Sequence, residues 1–164
     1  MSITSAASSE TSSAKAPRVI PLFPIRVLDG DTVDIGGERM RLFGIDAPEG
    51  KQQCVWADGG VFDCGKAATR ELRALLSFEV PPVIERRGID RYGRSIVVLR
   101  DQTGLNINCE LVARGVAWAY VDYSDMCLDD EKDARARRRG VFNGDNLPPW
   151  EYRRKQKSNR NGTN

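Results

Sequence analysis

At 164 residues, with 40% hydrophobic and 29% charged side chains, the chain has the size and balance of one ordinary globular domain. It contains no histidine, which excludes imidazole acid–base catalysis, a Ser-His-Asp triad and His-ligated zinc or iron. A formal net charge of +2 says little about partners, and no apolar run approaches the roughly 20 residues of a membrane span.

In chain order, residues 1–17 read MSITSAASSETSSAKAP, a Ser/Ala/Thr-rich segment with no apolar signal core that is expected to be disordered. A domain is expected over residues 18–150, followed by a basic tail over residues 151–164. Hydrophobic alternation starts near Val19 and runs to Leu28, with prolines that suit an edge strand or a bulge. Asp29-Gly30-Asp31 turns the chain. Residues 32–35 and 39–45 read as the second and third strands, joined across Gly36-Gly37, a strong hairpin signal. Alternation places Met40 and Leu42 on one face of the third strand and Arg39, Arg41 and Phe43 on the other.

That strand ends in the turn Asp46-Ala47-Pro48-Glu49-Gly50. A loop holding Cys54, Trp56 and Gly59-Gly60 leads to Asp63, an N-cap by residue type. Ala68, Leu72, Leu75 and Leu76 follow at helical spacing and predict an amphipathic helix. Val83-Ile84 and residues 95–99 read as two more strands, joined by residues 86–93. Asn108 is expected to cap a short helix that stops at Gly115. A last helix starts with Asp129, Asp130 and Glu131 and ends with basic residues from Arg135 to Arg139, a charge order that complements the helix dipole. Pro148-Pro149-Trp150 is expected to close the ordered part. Five short strands, with one helix between the third and fourth and two behind, predict an α+β fold: a closed five-stranded OB-type barrel with three α-helices.

The four cysteines, Cys54, Cys64, Cys109 and Cys127, form no C-x-x-C pair. Their wide spacing suits two disulfides, most simply Cys54–Cys64 and Cys109–Cys127, although all three pairings remain open, as do four reduced buried thiols. Disulfides favour a secreted or periplasmic protein. The N-terminal segment, lacking an apolar core, leaves a cytoplasmic one open. Basic residues also gather at Arg153, Arg154, Lys155, Lys157 and Arg160. They suit either attraction of a polyanion or a solvated, disordered tail.

Three segments carry chemistry: VLDGDTV, RLFGIDAPE and DRYGR. Each alone is compatible with an ordinary surface turn. Together, in this order and on this strand pattern, they resemble the signature segments of the staphylococcal (micrococcal) nuclease, or thermonuclease, family. The resemblance runs from about Val19 to Trp150. It implies an OB-type barrel with three helices, calcium dependence, and hydrolysis of single-stranded or frayed DNA and RNA to 3′-phosphate ends. Residue by residue, it implies that Asp31, Asp46 and the Ala47 carbonyl hold the metal, that Glu49 is the catalytic glutamate, and that Arg41 and Arg94 are the two essential arginines. It further implies that Arg91, Tyr92, Tyr120 and Tyr123 contact the nucleotide. The Cys54-to-Cys64 loop departs from the family pattern after the glutamate.

The chemistry of these residue types agrees. Two carboxylates and a carbonyl make a hard-oxygen site that suits Ca²⁺, and Mg²⁺ less well. Glu49, three residues past Asp46, is placed to accept a proton from attacking water. Guanidinium forks match the anionic oxygens of a phosphodiester. The expected protein is thus a monomeric nuclease with nucleic acid as its partner and no membrane attachment. The alternatives are a noncatalytic OB-fold module that binds nucleic acid or another ligand, and a secreted protein acting on a different anionic polymer.

Overall fold

The computed structural model describes residues 24–77 and 79–162. Residues 1–23, on which the expected disordered segment and the beginning of the first strand fall, lie outside them.

Three strands open the fold: β1 (Ile25–Val27), β2 (Thr32–Ile35) and β3 (Glu38–Leu42). β2 and β3 form the expected hairpin. Gly36 and Gly37 take φ of 65° and 83°, the left-handed pair that a two-residue turn between twisted strands demands. The expected alternation holds on β3, where Met40 and Leu42 are buried while Arg39 stays exposed and Arg41 half-exposed. The third strand ends earlier than its pattern suggests, because Gly44 (φ 75°) turns the chain. Beyond it β4 (Ile45–Asp46) pairs instead with β9 (Trp118–Ala119).

A small hairpin of β5 (Cys54–Val55) and β6 (Val61–Phe62) precedes helix α1 (Cys64–Leu75). Asp63 is the N-cap of α1, but its carboxylate takes Lys66 and Gln53 rather than a helix amide. β7 (Val83–Ile89) and β8 (Ser95–Arg100) follow as a hairpin with a register shift between Arg86 and Gly88. β7 therefore runs further than the Val83-Ile84 pair predicted. β8 then pairs in parallel with β3, with Arg41 opposite Ile96.

The sheet order is β1-β2-β3-β8-β7. Among the described residues nothing joins β1 to β7, so the closed barrel of the sequence reading is corrected to an open five-stranded sheet. β1 is three residues long, and residues 19–23, which the sequence pattern joined to it, lie outside the described residues.

Helix α2 (Ile107–Ala113) is capped by Asn106, whose side chain accepts from the Cys109 amide, and not by Asn108. Asn108 is buried within the helix and does a different job. Its Nδ2 donates to the carbonyls of Phe43 and Val97, and its Oδ1 accepts from the Leu99 amide, which ties α2 to β8 and to the chain just after β3. Helix α3 (Leu128–Ala136) ends before the expected basic run is complete. Arg137 caps it, Arg138 is left-handed at φ 52°, and Arg139 reaches back to the Ala113 carbonyl. Arg135 and Arg137 pair with Glu131 and Asp133 one turn earlier, so this cluster is accounted for within the fold.

The disulfides are Cys54–Cys64 and Cys109–Cys127, with Cα atoms 5.6 and 4.9 Å apart. The second staples α2 to the N-cap of α3. The first sits in a small core with Trp118, Val141 and Trp150, apart from the main core of Val33, Leu42, Leu72, Leu99 and Leu111.

The chain does not end its order at Trp150. After a 3-10 turn at Gly140–Phe142 it forms a fourth helix, α4 (Pro149–Asn161), which corrects the three-helix expectation and the disordered reading of the tail. Pro149 occupies the first turn, where its missing N–H costs nothing.

Candidate active site

The Asp29-Gly30-Asp31 turn lies against the end of β3, with the Leu42 amide donating to the Asp31 carbonyl. Gly30 allows this approach: a Cβ there would come within 2.6 Å of the Ala68 Cβ on α1 and 2.7 Å of the Ala47 Cβ. The turn therefore seats Asp31 beside the start of the 47–50 loop. Asp31 Oδ2 accepts from the Ala47 amide at 2.9 Å, and Oδ1 accepts from Thr32 and from Arg41 Nη1 at 3.1 Å. The second Nη group of Arg41 donates to Asp46 Oδ1 at 3.0 Å. One guanidinium from the cleft face of β3 thus bridges two buried carboxylates that lie 15 positions apart in the chain.

The parallel register of β3 and β8 brings in Arg94. Arg41 faces Ile96, so Arg94, two positions before Ile96, projects from the same side of the sheet. Its Nε is held by Asp90 at 2.7 Å, which leaves both Nη groups without a hydrogen bond to protein among the described residues. A cavity of about 170 Å³ is lined by Asp29, Asp31, Arg41, the 46–50 turn and Arg94. All six residues expected to form the metal and catalytic sets therefore converge on one cleft.

Glu49 is fixed through its backbone. Its amide donates to Gln52 Oε1 at 3.1 Å, and the first turn of α1 packs against its carbonyl. A Cβ on Gly65 would lie 1.9 Å from that oxygen. Gly65→Ala is accordingly expected to cost about 1–3 kcal/mol in urea unfolding, the usual penalty of overpacking. A variant as stable as the parent would show that the contact relaxes freely.

Four carboxylates and two guanidiniums line the cavity. Burial pushes the Asp31 carboxyl up to about 7, against the opposing pull of Arg41, and the charges of Asp29 and Asp46 push the same way. Burial also disfavours a charged Arg41, yet Asp31 and Asp46 together hold it protonated beyond the ordinary range. The carboxylate oxygens gathered in this small cleft are hard donors of the kind a divalent cation takes. Among the described residues no group of three or more acidic, cysteine or histidine side chains is gathered around a single point, so a cation here would have few protein ligands.

The expected nucleotide contacts fall into two places. Tyr92 is exposed, with the guanidiniums of Arg91 and Arg94 4.9 and 5.4 Å from its ring centre. It borders an open depression of about 720 Å³ with Arg39 and Arg94, beside the cleft. Tyr120 stacks on Trp150 at 5.2 Å and meets the exposed Tyr123 at 4.7 Å. Burial and then the Asp46 charge raise the Tyr120 hydroxyl above its usual range, which places that ring near the acidic cluster although it does not line the cavity.

One participant was not foreseen. Arg153, on α4, donates from Nη2 to Asp46 Oδ2 at 2.7 Å and from Nη1 to Asp46 Oδ1 at 3.2 Å and Glu49 Oε1 at 2.7 Å. Its hydrogen bonds to Asp46 and then to Glu49 hold it protonated well beyond the ordinary arginine range. The available sequence signal was Pro149 following Pro148, a helix start as readily as a chain stop.

The arrangement defines a class: an α+β protein whose open sheet presents one small cleft lined by arginines and carboxylates. The family model described as "Staphylococcal nuclease homologue" matches residues 39–143. The chain belongs to the staphylococcal nuclease family. It is 36% identical over 151 residues to a Shigella flexneri protein named "Micrococcal nuclease", covering 82% of this chain and 80% of that one. It is 34% identical over 139 residues to an Escherichia coli O157:H7 protein named "Uncharacterized endonuclease", covering 80% and 84%. It is also 41% identical over 91 residues to the "Succinoglycan biosynthesis protein ExoI" of Rhizobium meliloti, covering 56% of this chain and 48% of that one.

Proposed function

We propose that this protein is a cation-assisted nuclease that hydrolyses phosphodiester bonds of DNA and RNA, with a preference for single strands. The observation that carries the reading is the convergence of Asp31, Asp46, Glu49, Arg41 and Arg94 on one cleft in a chain of this family. The strand order, with a helix between the third and fourth sheet strands, is consistent with the OB-type architecture the family implies.

Asp31, Asp46 and the Ala47 carbonyl would hold Ca²⁺, or less well Mg²⁺, whose charge would polarise a bound phosphate. The remaining chemistry belongs to the chain. Glu49, half-exposed and lining the cleft, accepts the proton of an attacking water. Arg94 offers its Nη pair to the phosphate oxygens, and Arg41 adds the N–H groups not committed to the two aspartates. These donors face the charge that grows on the equatorial oxygens during attack. The rings of Tyr92 and of the Tyr120–Tyr123 pair offer stacking faces near the cleft, and Arg91 adds a cation beside Tyr92, which suits limited sequence selectivity.

We place the protein as a monomer in an oxidising compartment, secreted or periplasmic, in keeping with its two disulfides. No helix of the described residues is long and apolar enough to cross a membrane.

The test is degradation of labelled single-stranded DNA and RNA with Ca²⁺, with Mg²⁺ and with a chelator. Cleavage that needs the cation and stops on chelation is expected. Nucleic-acid binding that survives chelation, with no cleavage over hours, would instead make this a noncatalytic binding module.

A further inference from the structure

We infer that Arg153 is a positioning residue of this site, and that α4 is the element that completes it. The inference builds on the reading of Asp46 and Glu49 as working carboxylates, and it concerns how they are held relative to one another.

Glu49 stands on a loop with its side chain 42% exposed, so packing alone does not select its rotamer. The guanidinium of Arg153 does. It grips buried Asp46 through both Nη groups and Glu49 through one of them. A planar, rigid fork bonded to two carboxylates fixes the distance and angle between them in a way a flexible ammonium would not. Arg153 is not among the residues lining the cavity. It reaches the carboxylates from the α4 side and leaves the cleft open, which is the placement of a brace and not of a plug.

The helix carrying this arginine is itself tied to the glutamate loop. Asn146 exchanges hydrogen bonds with both the amide and the carbonyl of Val55, and it also donates to the Val141 carbonyl. Gln52, buried, donates to the Leu147 carbonyl while accepting from the Glu49 amide. Trp150, in the first turn of α4, stacks on Tyr120. The backbone and the carboxylate of Glu49 are therefore both referenced to the C-terminal segment, beyond the residues matched by the family model.

The experiment compares the full-length parent with Arg153→Ala, Arg153→Lys and, as a control on the exposed neighbour, Arg154→Ala. Thermal melting establishes that each is folded. Amide exchange over residues 47–52 is then measured, and kcat and KM are determined on single-stranded DNA with Ca²⁺. Arg153→Ala is expected to exchange several-fold faster in that segment. Its kcat should fall by about 10- to 100-fold with little change in KM, as when a residue orienting a catalytic group is lost. Low-millimolar guanidinium should restore part of that rate, which it would not do for a general loss of stability. Arg153→Lys should remain below the parent, and Arg154→Ala should match it.

Unchanged exchange together with unchanged kcat overturns the inference, and so does a rate that rises, which would make Arg153 a block. If Arg153→Ala does not fold, Arg153→Lys decides: parental kcat and exchange in that variant remove any need for the fork. If the parent cleaves nothing, the nuclease reading fails, and the exchange measurement still judges whether Arg153 orders the loop.

Discussion

Glu49→Gln is expected to melt with the parent and to lose hydrolysis by about 10²- to 10⁴-fold, the range that a positioned general base contributes. The amide keeps the size of the side chain and its oxygen can still accept from Arg153 Nη1, so the tie seen at 2.7 Å survives as a guanidinium–amide hydrogen bond without the ion pair. What it cannot do is take up a proton. The backbone anchors of the residue, Gln52 and Gly65, are untouched by the change. Single-turnover cleavage of single-stranded DNA, run beside a melting curve, separates chemistry from folding. A Glu49→Gln protein that cleaves at the parental rate would remove this residue from the mechanism.

Arg41→Ala is expected to damage stability and rate together. Among the described residues, Asp31 loses its one ion-pair partner and Asp46 keeps only Arg153. Both aspartates are almost completely buried. Removing one member of a buried ion pair strands the other without compensation, commonly at about 3–5 kcal/mol. Asp46 retains a cation, so the lower end of that range is expected in urea unfolding without divalent ions. The rate should fall by about 100-fold or more from the lost donor. Arg41→Lys would keep the charge but cannot bridge both aspartates as a fork, so partial recovery of stability with poor recovery of rate is expected. Wild-type stability in Arg41→Ala would mean that the bridge between the aspartates contributes nothing.

The cleft side of this site was legible from local pattern. Strand alternation is a period of two, so the placement of Arg41 opposite Met40 and Leu42 could be read directly, and Gly36-Gly37 marked the hairpin that fixes it. Contacts between distant segments were not legible in the same way. The parallel pairing of β3 with β8 depends on partners more than 50 positions apart, and no local signal states it. Two asparagines stood two residues apart at the start of α2, and composition could not say which would cap. Asn106 faces the free amides, while Asn108 is consumed by carbonyls of β8 and of the chain after β3.

The missed helix has a similar cause. Residues 151–161 carry almost no apolar side chains, so they show no helical stripe, and Pro148-Pro149 looked like a terminator. Tertiary contacts hold α4 through Trp150 and Arg153, and the ion pairs of Arg153 span 104 and 107 positions. The barrel expectation exceeded the described structure for another reason: closure needs an edge that three residues of β1 do not provide.

The register between β3 and β8 has a consequence for how this protein can change. Because inward and outward side chains alternate, deleting one residue within either strand would invert everything downstream of the cut. In β3 it would send a guanidinium into the apolar interior and a methionine or leucine into the cleft. In β8 it would shift Val97 or Leu99 off the face they share in the main core. Length variation among natural or engineered descendants should therefore be confined to bends such as residues 101–105, where the polar Asp101, Gln102 and Thr103 bear no such parity. A library of single-codon deletions, sorted for soluble expression, would map that parity as a band of intolerance over the two strands.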